Sequence, residues 1–150
     1  MPVAKILAAR FEVLGIDISP GQVALAGKNV PEATFRVGDI SALDLPGASF
    51  DAVASYYAII HVPREDHERT LAGFHRVLVP AGRLLVCMGN RDDPGSVQDG
   101  FFGTTMHWSH FDGPANLAMV QRSGFEVLGH EEVPDPLGDG SHLFVLARSV

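Results

Sequence analysis

The sequence predicts a doubly wound α/β fold with a mostly parallel sheet that ends in an antiparallel hairpin. Apolar strand-like runs alternate with segments whose apolar residues repeat at helical spacing, which is typical of parallel sheets covered by helices. The last two strand-like runs, 125–133 and 141–149, follow each other without a helix between them, which is typical of a hairpin. At 150 residues the chain can bury its own core, so we expect 1–150 to form a single domain.

Two helices are predicted in the first part of the chain. Residues 3–10 carry apolar side chains at helical spacing. Ser19 is the predicted N-cap of the next helix, because Pro20 fills the first helical position and Gln22 completes a capping box. Gly27 is the predicted end of that helix. Each helix adjoins a strand, as an alternating α/β chain requires.

Four strands precede the final hairpin. Each is a run of apolar and β-branched residues bounded by turn residues: 11–17, 33–39, 49–57 and 80–89. The third of these runs is apolar in its middle, which is typical of a parallel strand buried on both faces. In open sheets of this class a ligand lies beyond the carboxyl ends of the strands, so the strand ends are where we expect a site.

The second half of the chain contains two further predicted helices and one irregular segment. A long helix starts at Pro63 and runs to about Val77. A shorter helix is capped by Asp112 and stops at Gly124. Residues 90–111 are polar and aromatic with no periodicity, which predicts a functional loop or lid.

Composition excludes several classes of function. The formal net charge is −7 and lysine occurs only at Lys5 and Lys28, so the chain has no basic cluster for nucleic acid. No apolar run is long enough to span a membrane, and the N-terminus lacks the pattern of a signal peptide. The single cysteine, Cys87, lies in an apolar run and indicates a buried thiol in a reducing compartment. We therefore expect a cytoplasmic protein that binds neither nucleic acid nor membrane.

Polar residues end three of the predicted strands. Asp17 can accept both ribose hydroxyls of a nucleotide cofactor, or it is a solvated acid at a strand end or a partial helix cap. Asp39 can accept from an adenine amine while Ile40 packs on the ring, although Gly-Asp is also an ordinary turn. Ser55, Tyr56 and Tyr57 end the third strand and point toward the same crevice; the alternative is core packing for one tyrosine and a surface position for the other.

Histidines are the remaining candidates for chemistry. His61 is the candidate catalytic residue, because an imidazole near the strand ends can take up a proton or orient a substrate; a structural role is the alternative. His107 and His110 lie three residues apart, and His130 and His142 lie in the final hairpin. No Cys-x-x-Cys or His-Glu-x-x-His spacing accompanies them, so we expect no metal site.

The order of five segments resembles a known family. The segments are "GIDIS" (15–19), "GDISALDLP" (38–46), "FDAVASYYAIIHVPRED" (50–66), "RVLVPAGRLLVCMG" (76–89) and the closing "GFEV…HLFVLAR" hairpin. Together they resemble the class I S-adenosylmethionine-dependent methyltransferases of the small-molecule, methyltransferase-domain type, over essentially the whole chain. The resemblance implies a Rossmann-like fold. Ala81 departs from the Pro-Gly-Gly turn that the family usually has before its fifth strand.

The resemblance implies that S-adenosylmethionine is the cofactor and assigns six residues to it: Asp17, Ile18, Asp39, Ile40, Ser55 and Tyr56. Asp17 is the implied ribose acid, and Ile18 lies against the adenine. Asp39 and Ile40 are the implied contacts to the adenine edge. Ser55 and Tyr56 would lie beside the methionine part of the cofactor.

The acceptor implied by the resemblance is a small molecule, bordered by His61 and the 90–111 segment. Methyl transfer depends largely on alignment and desolvation, so the family needs no invariant base. Two alternatives stay open at this point. One is a nicotinamide-dependent oxidoreductase, which Asp17 would serve equally well. The other is a non-catalytic domain that keeps the fold and acts through contacts.

One departure from the family is large. The family begins with a strand and a glycine-rich loop, and the sequence contains neither before residues 3–10. The missing strand would lie between 11–17 and 50–57. Either these two strands pair directly, or a second chain covers their edges as in a homodimer, or the natural product begins upstream of Met1. We expect the last, so that the chain is truncated relative to the family.

Overall fold

Residues 2–135 and 140–150 are described by a computed structural model of the chain. Two predictions lie outside them: that Met1 is not the natural start, and that a Pro/Gly/Asp loop, which includes residues 136–139, joins the last two strands. The backbone forms two compact units, Met1–Asp44 and Leu45–Val150. That 1–150 behaves as a single domain stays a prediction.

The first unit is a pair of parallel strands with two helices. Its elements in order are α1 (Pro2–Ala8), β1 (Leu14–Asp17), α2 (Pro20–Asn29), β2 (Thr34–Val37) and a 3₁₀ turn (Ile40–Ala42). β1 and β2 pair in parallel with Asp17 opposite Val37. Because both strands end at this point, their carboxyl ends form one edge of the unit.

The N-cap of α2 is confirmed in part. The Ser19 hydroxyl accepts the backbone N–H of Gln22 at 3.4 Å, as an N-cap should. The Ser19 N–H donates to the Asp17 carboxylate at 2.8 Å, so it is not bonded to Gln22, and the predicted capping box is wrong. The predicted stop at Gly27 is also wrong, because α2 continues to Asn29.

The second unit is built on a four-stranded mixed sheet in the order β3-β4-β8-β7. Its elements are β3 (Phe50–Ser55), 3₁₀ turns (Ile59–His61 and Arg64–Asp66), α3 (His67–Val77), β4 (Leu78–Gly89), β5 (Asp93–Phe101), β6 (Thr104–His110), α4 (Gly113–Arg122), β7 (Phe125–Pro134) and β8 (Ser141–Ser149). β3 and β4 are parallel, whereas β8 is antiparallel to both β4 and β7. The predicted closing hairpin is confirmed.

β4 lies at the centre of the core of the second unit. Leu84, Val86 and Met88 of this strand are fully buried, and Leu71 and Phe74 of α3 are also buried. Burying each such side chain contributes about 1.5–3 kcal/mol. Cys87 is buried in the same strand, and this burial raises the pKa of its thiol to about 11, so the thiol stays protonated.

The predicted loop at 90–111 is wrong, because β5 and β6 form an antiparallel hairpin there. The turn is two residues long, and Phe102 and Gly103 both have positive φ, as a tight hairpin turn requires. Most side chains of β5 are exposed, so the strand has no apolar face. The alternation of apolar and polar residues by which a strand is normally recognised is therefore missing from the sequence of β5.

β1 and β3 belong to different sheets. The resemblance places a further strand between them, before residues 3–10 in the chain, and no strand precedes α1 among the described residues. Direct pairing of the two strands, the first of the three outcomes considered, is therefore not what the chain adopts.

Ala81 is strained, and its replacement by glycine tests this strain. Its φ is 63°, in the left-handed region that favours glycine, at the point where the family usually has a glycine. We expect Ala81→Gly to raise the free energy of unfolding by about 0.5–1 kcal/mol, after allowing for the greater freedom of glycine in the unfolded chain. Urea unfolding measures the change. Ala54→Gly, in strand β3, is the control and should lower stability instead; an equal loss at both positions would contradict the account.

His67 makes the stability of the second unit dependent on pH. Its ring is fully buried at the start of α3, and Nε2 donates to the Val62 carbonyl at 3.0 Å. Burial lowers the pKa of His67 below its ordinary value of 6.5, and the nearby His110 adds to this shift. The unfolded chain therefore binds a proton that the folded chain does not.

Stability should accordingly fall as the pH drops below about 6.5, by at most about 1.4 kcal/mol per pH unit for one such proton. The slope of unfolding free energy against pH, measured by urea titration, should be smaller in His67→Gln than in the parent chain. His130→Gln is the control, because His130 is exposed. An unchanged slope in His67→Gln would assign the pH dependence to other groups.

Candidate functional site

The carboxyl edge of the first unit brings together the predicted adenosine-binding residues. Asp17 is exposed; its Oδ1 accepts from Ser19 N–H at 2.8 Å, and Oδ2 makes no hydrogen bond within the described residues. Ile18 beside it is 72% exposed, which is unusual for a large apolar side chain. An acceptor oxygen thus lies next to an open apolar surface.

Asp39 lies at the same edge, two residues after Val37, which is the partner of Asp17 in the ladder. Its Oδ1 accepts from both the backbone N–H and the hydroxyl of Ser41, each at 2.8 Å. These bonds fix the carboxylate at the start of the short 3₁₀ turn that holds Ile40, whose side chain is half-buried. The structure therefore brings Asp17 and Asp39 to one edge, as predicted for an adenosine site.

Ser55 and Tyr56 lie at the carboxyl end of β3, as predicted. Ser55 is buried, and its hydroxyl has no hydrogen-bond partner. Tyr56 is 51% exposed and meets the edge of the Tyr57 ring at 4.7 Å. Tyr57 has a positive φ of 50°, so the chain makes a strained turn directly after the strand.

Contacts that were not predicted from the sequence surround this turn. The Tyr57 ring packs edge-on against His142 at 4.8 Å, and His142 Nε2 lies 3.5 Å from Asp135 Oδ2. Burial raises the pKa of the Tyr57 phenol, so it stays protonated as a donor. His142 is far from Tyr57 in sequence, and only the register of β8 against β4 brings the two together.

His61 lines a cavity of about 420 Å³ in the second unit. One wall comes from the two 3₁₀ turns and the other from the β5–β6 hairpin. The polar and aromatic residues of the lining are His61, Glu65, Ser96, His107, Trp108 and Ser109. The lining includes neither Ser55 nor Tyr56. Glu65, Ser96 and Ser109 were not predicted, because a solvated acid and two serines carry no sequence signal.

The ring of His61 is fixed in one tautomer. Its Nδ1 lies 2.8 Å from the backbone carbonyl oxygen of His107. A carbonyl can only accept a hydrogen bond, so Nδ1 must carry the hydrogen and donate it. In the neutral ring Nε2 is then left as an acceptor that can receive a proton. This arrangement suits a general base or an orienting acceptor.

Contacts of Arg64 hold the hairpin against the 3₁₀ turns. The backbone N–H of Arg64 donates to the Ser109 hydroxyl at 3.0 Å. Its guanidinium binds Asp92 at 2.7 Å and stacks over the Phe111 ring at 4.7 Å. The cation–π contact adds about 0.5–1 kcal/mol at such a partly exposed position. Both walls of the cavity are therefore joined through one residue, Arg64.

Gly89 sets the position of the hairpin on the sheet. A Cβ at this residue would lie 2.1 Å from Cγ of His110, so the ring of His110 occupies the space that a side chain would need. Asn116 of α4 donates to the Gly89 carbonyl at 2.8 Å and to the Phe111 carbonyl at 2.9 Å. Strand, hairpin and helix thus meet at one residue without a side chain.

Two further features concern metal ligation and membrane insertion. Within residues 2–135 and 140–150, no three side chains of His, Cys, Asp or Glu lie where they could hold a metal ion. In the same part of the chain, every helix is too short or too polar to cross a lipid bilayer.

Sequence comparison identifies the family. The profile of a family described as "Methyltransferase domain" matches residues 2–86, which is more than half of the chain. The chain belongs to the methyltransferase domain family. The resemblance stated from the sequence is therefore confirmed, and no comparison supports a nicotinamide-dependent oxidoreductase.

Curated relatives of the chain are named as methyltransferases. The chain is 37% identical over 109 residues to 2-methyl-6-phytyl-1,4-hydroquinone methyltransferase of Synechocystis, a match that covers 67% of the chain and 34% of that protein. It is 35% identical over 79 residues to demethylmenaquinone methyltransferase of Thermus thermophilus, covering 50% of the chain and 35% of the relative. The chain thus spans about a third of the length of these curated relatives.

Solved structures confirm the fold class of the methyltransferase domain. A methyltransferase from Methanosarcina mazei superposes with a TM-score of 0.84 at 18% identity, over 98% of this chain and 86% of the other. A Burkholderia thailandensis N-methyltransferase, solved with S-adenosylhomocysteine, gives 0.73 at 23% identity, over 98% and 65%. At these identities the likeness establishes the Rossmann-like α/β fold. The roles of the individual site residues stay predictions.

Replacement of Gly89 by alanine tests how the cavity is held. The added Cβ would clash with the His110 ring, so we expect Gly89→Ala to destabilise the chain by about 1–3 kcal/mol, as overpacking does. Fluorescence of Trp108, the only tryptophan, should also shift toward that of a more exposed indole. Gly73→Ala is the control, since nothing lies within 4 Å of its added Cβ. Equal stability of the two variants would show that Gly89 is not a constraint.

Proposed function

We propose that this chain is an S-adenosylmethionine-dependent methyltransferase domain that acts on a small organic acceptor. The observation that carries the proposal is the edge formed by Asp17 and Asp39 at the ends of two adjacent parallel strands. An acid after such a strand can accept the ribose hydroxyls of a nucleotide cofactor. Family membership supports S-adenosylmethionine as that cofactor.

The residues of the first unit fit the adenosine part of the cofactor. Asp17 Oδ2 is an open acceptor for the ribose hydroxyls, and the exposed Ile18 is a surface for the adenine ring. Asp39 and Ile40 are the proposed contacts to the adenine edge. Tyr56 and Ser55 are the proposed contacts to the methionine part, with Ser55 offering a buried hydroxyl that has no other partner.

His61 is the proposed general base. When bound, S-adenosylmethionine supplies a methyl group on a positively charged sulfur. The chain's own residues would hold the acceptor and desolvate it. His61 Nε2 would take the proton that the acceptor loses as its oxygen, nitrogen or carbon bonds to the methyl carbon, because Nδ1–H is held by the His107 carbonyl. One proton transfer of this kind is worth about 10²–10⁴-fold in rate.

The names of the relatives support a small-molecule acceptor. One is named for a phytyl hydroquinone and another for demethylmenaquinone. Homodimer formation and a cytoplasmic location stay predictions from the sequence.

A second candidate is a non-catalytic domain of the same family. It is favoured by one observation: the 150 residues contain no Gly-x-Gly-x-Gly motif. Such a domain would bind neither S-adenosylmethionine nor its product. Cofactor binding therefore separates the two candidates.

Substitution of Asp17 tests the proposed cofactor site. Isothermal titration of the full chain with S-adenosylhomocysteine should give saturable binding. We expect Asp17→Asn to weaken it by about 1–3 kcal/mol, as for loss of a hydrogen bond to a charged group. Asp44→Asn is the matched control, because it removes an exposed acid from the same unit.

Parallel titrations with S-adenosylmethionine and NAD complete the test. Binding of NAD without S-adenosylmethionine would contradict the methyltransferase proposal. If none of the three ligands binds, the non-catalytic candidate is favoured. Equal affinity of Asp17→Asn and the parent chain would remove Asp17 from the site.

A further inference from the structure

We propose that the cavity beside His61 binds an uncharged aromatic ring bearing a hydroxyl or amine, and that it rejects carboxylates. The inference rests on the proposed function, because it names the acceptor class for that reaction. Three properties of the lining support it: an aromatic wall, an excess of hydrogen-bond acceptors, and a negative charge that no lysine or arginine of the lining offsets.

The wall of the cavity suits a flat ring. Trp108 lines the cavity, and its ring centroid lies 5.9 Å from that of His61. Phe101 also packs edge-on against Trp108, with ring centroids 5.1 Å apart, which helps to hold the indole in place. A volume of about 420 Å³ is enough for one or two rings.

Three hydrogen-bond donors of the lining are already used within the chain. Ser96 donates its hydroxyl hydrogen to Asp93 at 2.6 Å, and Ser109 donates to the Pro94 carbonyl at 3.4 Å. His61 donates Nδ1–H to the His107 carbonyl. The groups left over on these residues are acceptors, and His61 Nε2 is the strongest of them. A ligand that supplies an O–H or N–H therefore satisfies the site.

The charge of the lining disfavours anions. Of the described residues that line the cavity, Glu65 is the one with a fixed charge. Its neighbour Arg64 does not offset it, because the guanidinium binds Asp92 at 2.7 Å and stacks on Phe111. The indole N–H of Trp108 and the ring of His107 are further donors, but neither carries a fixed positive charge. A carboxylate ligand would meet Glu65 without a compensating cation.

Trp108 allows ligand binding in the cavity to be followed by NMR. It is the only tryptophan, so its indole N–H gives a single resonance in a ¹⁵N-correlated spectrum. The full chain is titrated with hydroquinone and, separately, with 4-hydroxybenzoate, which keeps one hydroxyl and replaces the other by a carboxylate. We expect hydroquinone to shift the indole resonance saturably. It should bind about tenfold more tightly than 4-hydroxybenzoate, because repulsion between two like charges a few ångströms apart lowers affinity by about that factor.

Two variants identify the groups responsible. Glu65→Gln should reduce the preference for hydroquinone to about twofold or less, whereas Glu68→Gln, an exposed acid outside the lining, should leave it unchanged. His61→Phe, which keeps a flat ring but has no acceptor nitrogen, should weaken hydroquinone binding by about fivefold or more, as for loss of one hydrogen-bond acceptor. Tighter binding of 4-hydroxybenzoate, or no shift of the indole resonance by either probe, would overturn the assignment.

The titrations are done without cofactor and repeated with S-adenosylhomocysteine, which keeps this test separate from that of the methyltransferase proposal. If hydroquinone binds and S-adenosylhomocysteine does not, the cavity assignment stands and the transfer reaction fails. If S-adenosylhomocysteine binds and hydroquinone moves the indole resonance in neither series, the acceptor class is wrong and the cofactor site stands.

Discussion

The second unit depends on the absence of a side chain at Gly89, the last residue of β4. The imidazole of His110 fills the space where a Cβ would lie, and the amide of Asn116 donates to the Gly89 carbonyl. The β5–β6 hairpin and helix α4 are therefore both fixed to the end of the most buried strand. The cavity depends on the same contact, because Trp108 and Ser109 precede His110 on the hairpin. A single Cβ added at Gly89 would thus displace a whole wall of the cavity.

Much of the fold could be predicted because its signals are local. The caps at Ser19 and Asp112 depend on side chains within three residues of the bonds they make. The closing hairpin followed from two strand-like runs with no helix between them. The acids Asp17 and Asp39 could be found as well, because a parallel sheet places the carboxyl ends of adjacent strands at one edge. Family membership agrees with the predicted fold class, whereas the roles of Asp17 and Asp39 stay predictions.

The remainder depends on contacts that the sequence does not encode locally. The β5–β6 hairpin has almost no buried side chains, so it lacks the alternation by which a strand is recognised. Arg64 reaches Asp92 and Phe111 across a gap of many residues, and His142 meets Tyr57 only through the register of β8. The tautomer of His61 is set by a carbonyl 46 residues away. A cavity assembled from such contacts cannot be found without the tertiary structure.

The central proposal is that the carboxyl edge of β1 and β2 binds the adenosine part of S-adenosylmethionine. Asp17 already gives one carboxylate oxygen to Ser19 and keeps the other open, and Ile18 offers an apolar surface beside it. A crystal structure of the full chain grown with S-adenosylhomocysteine tests this most directly. The account predicts both ribose hydroxyls within hydrogen-bond distance of Asp17 and the adenine amine at Asp39. Ordered S-adenosylhomocysteine with its ribose away from Asp17, or crystals that hold none at saturating concentration, would contradict it.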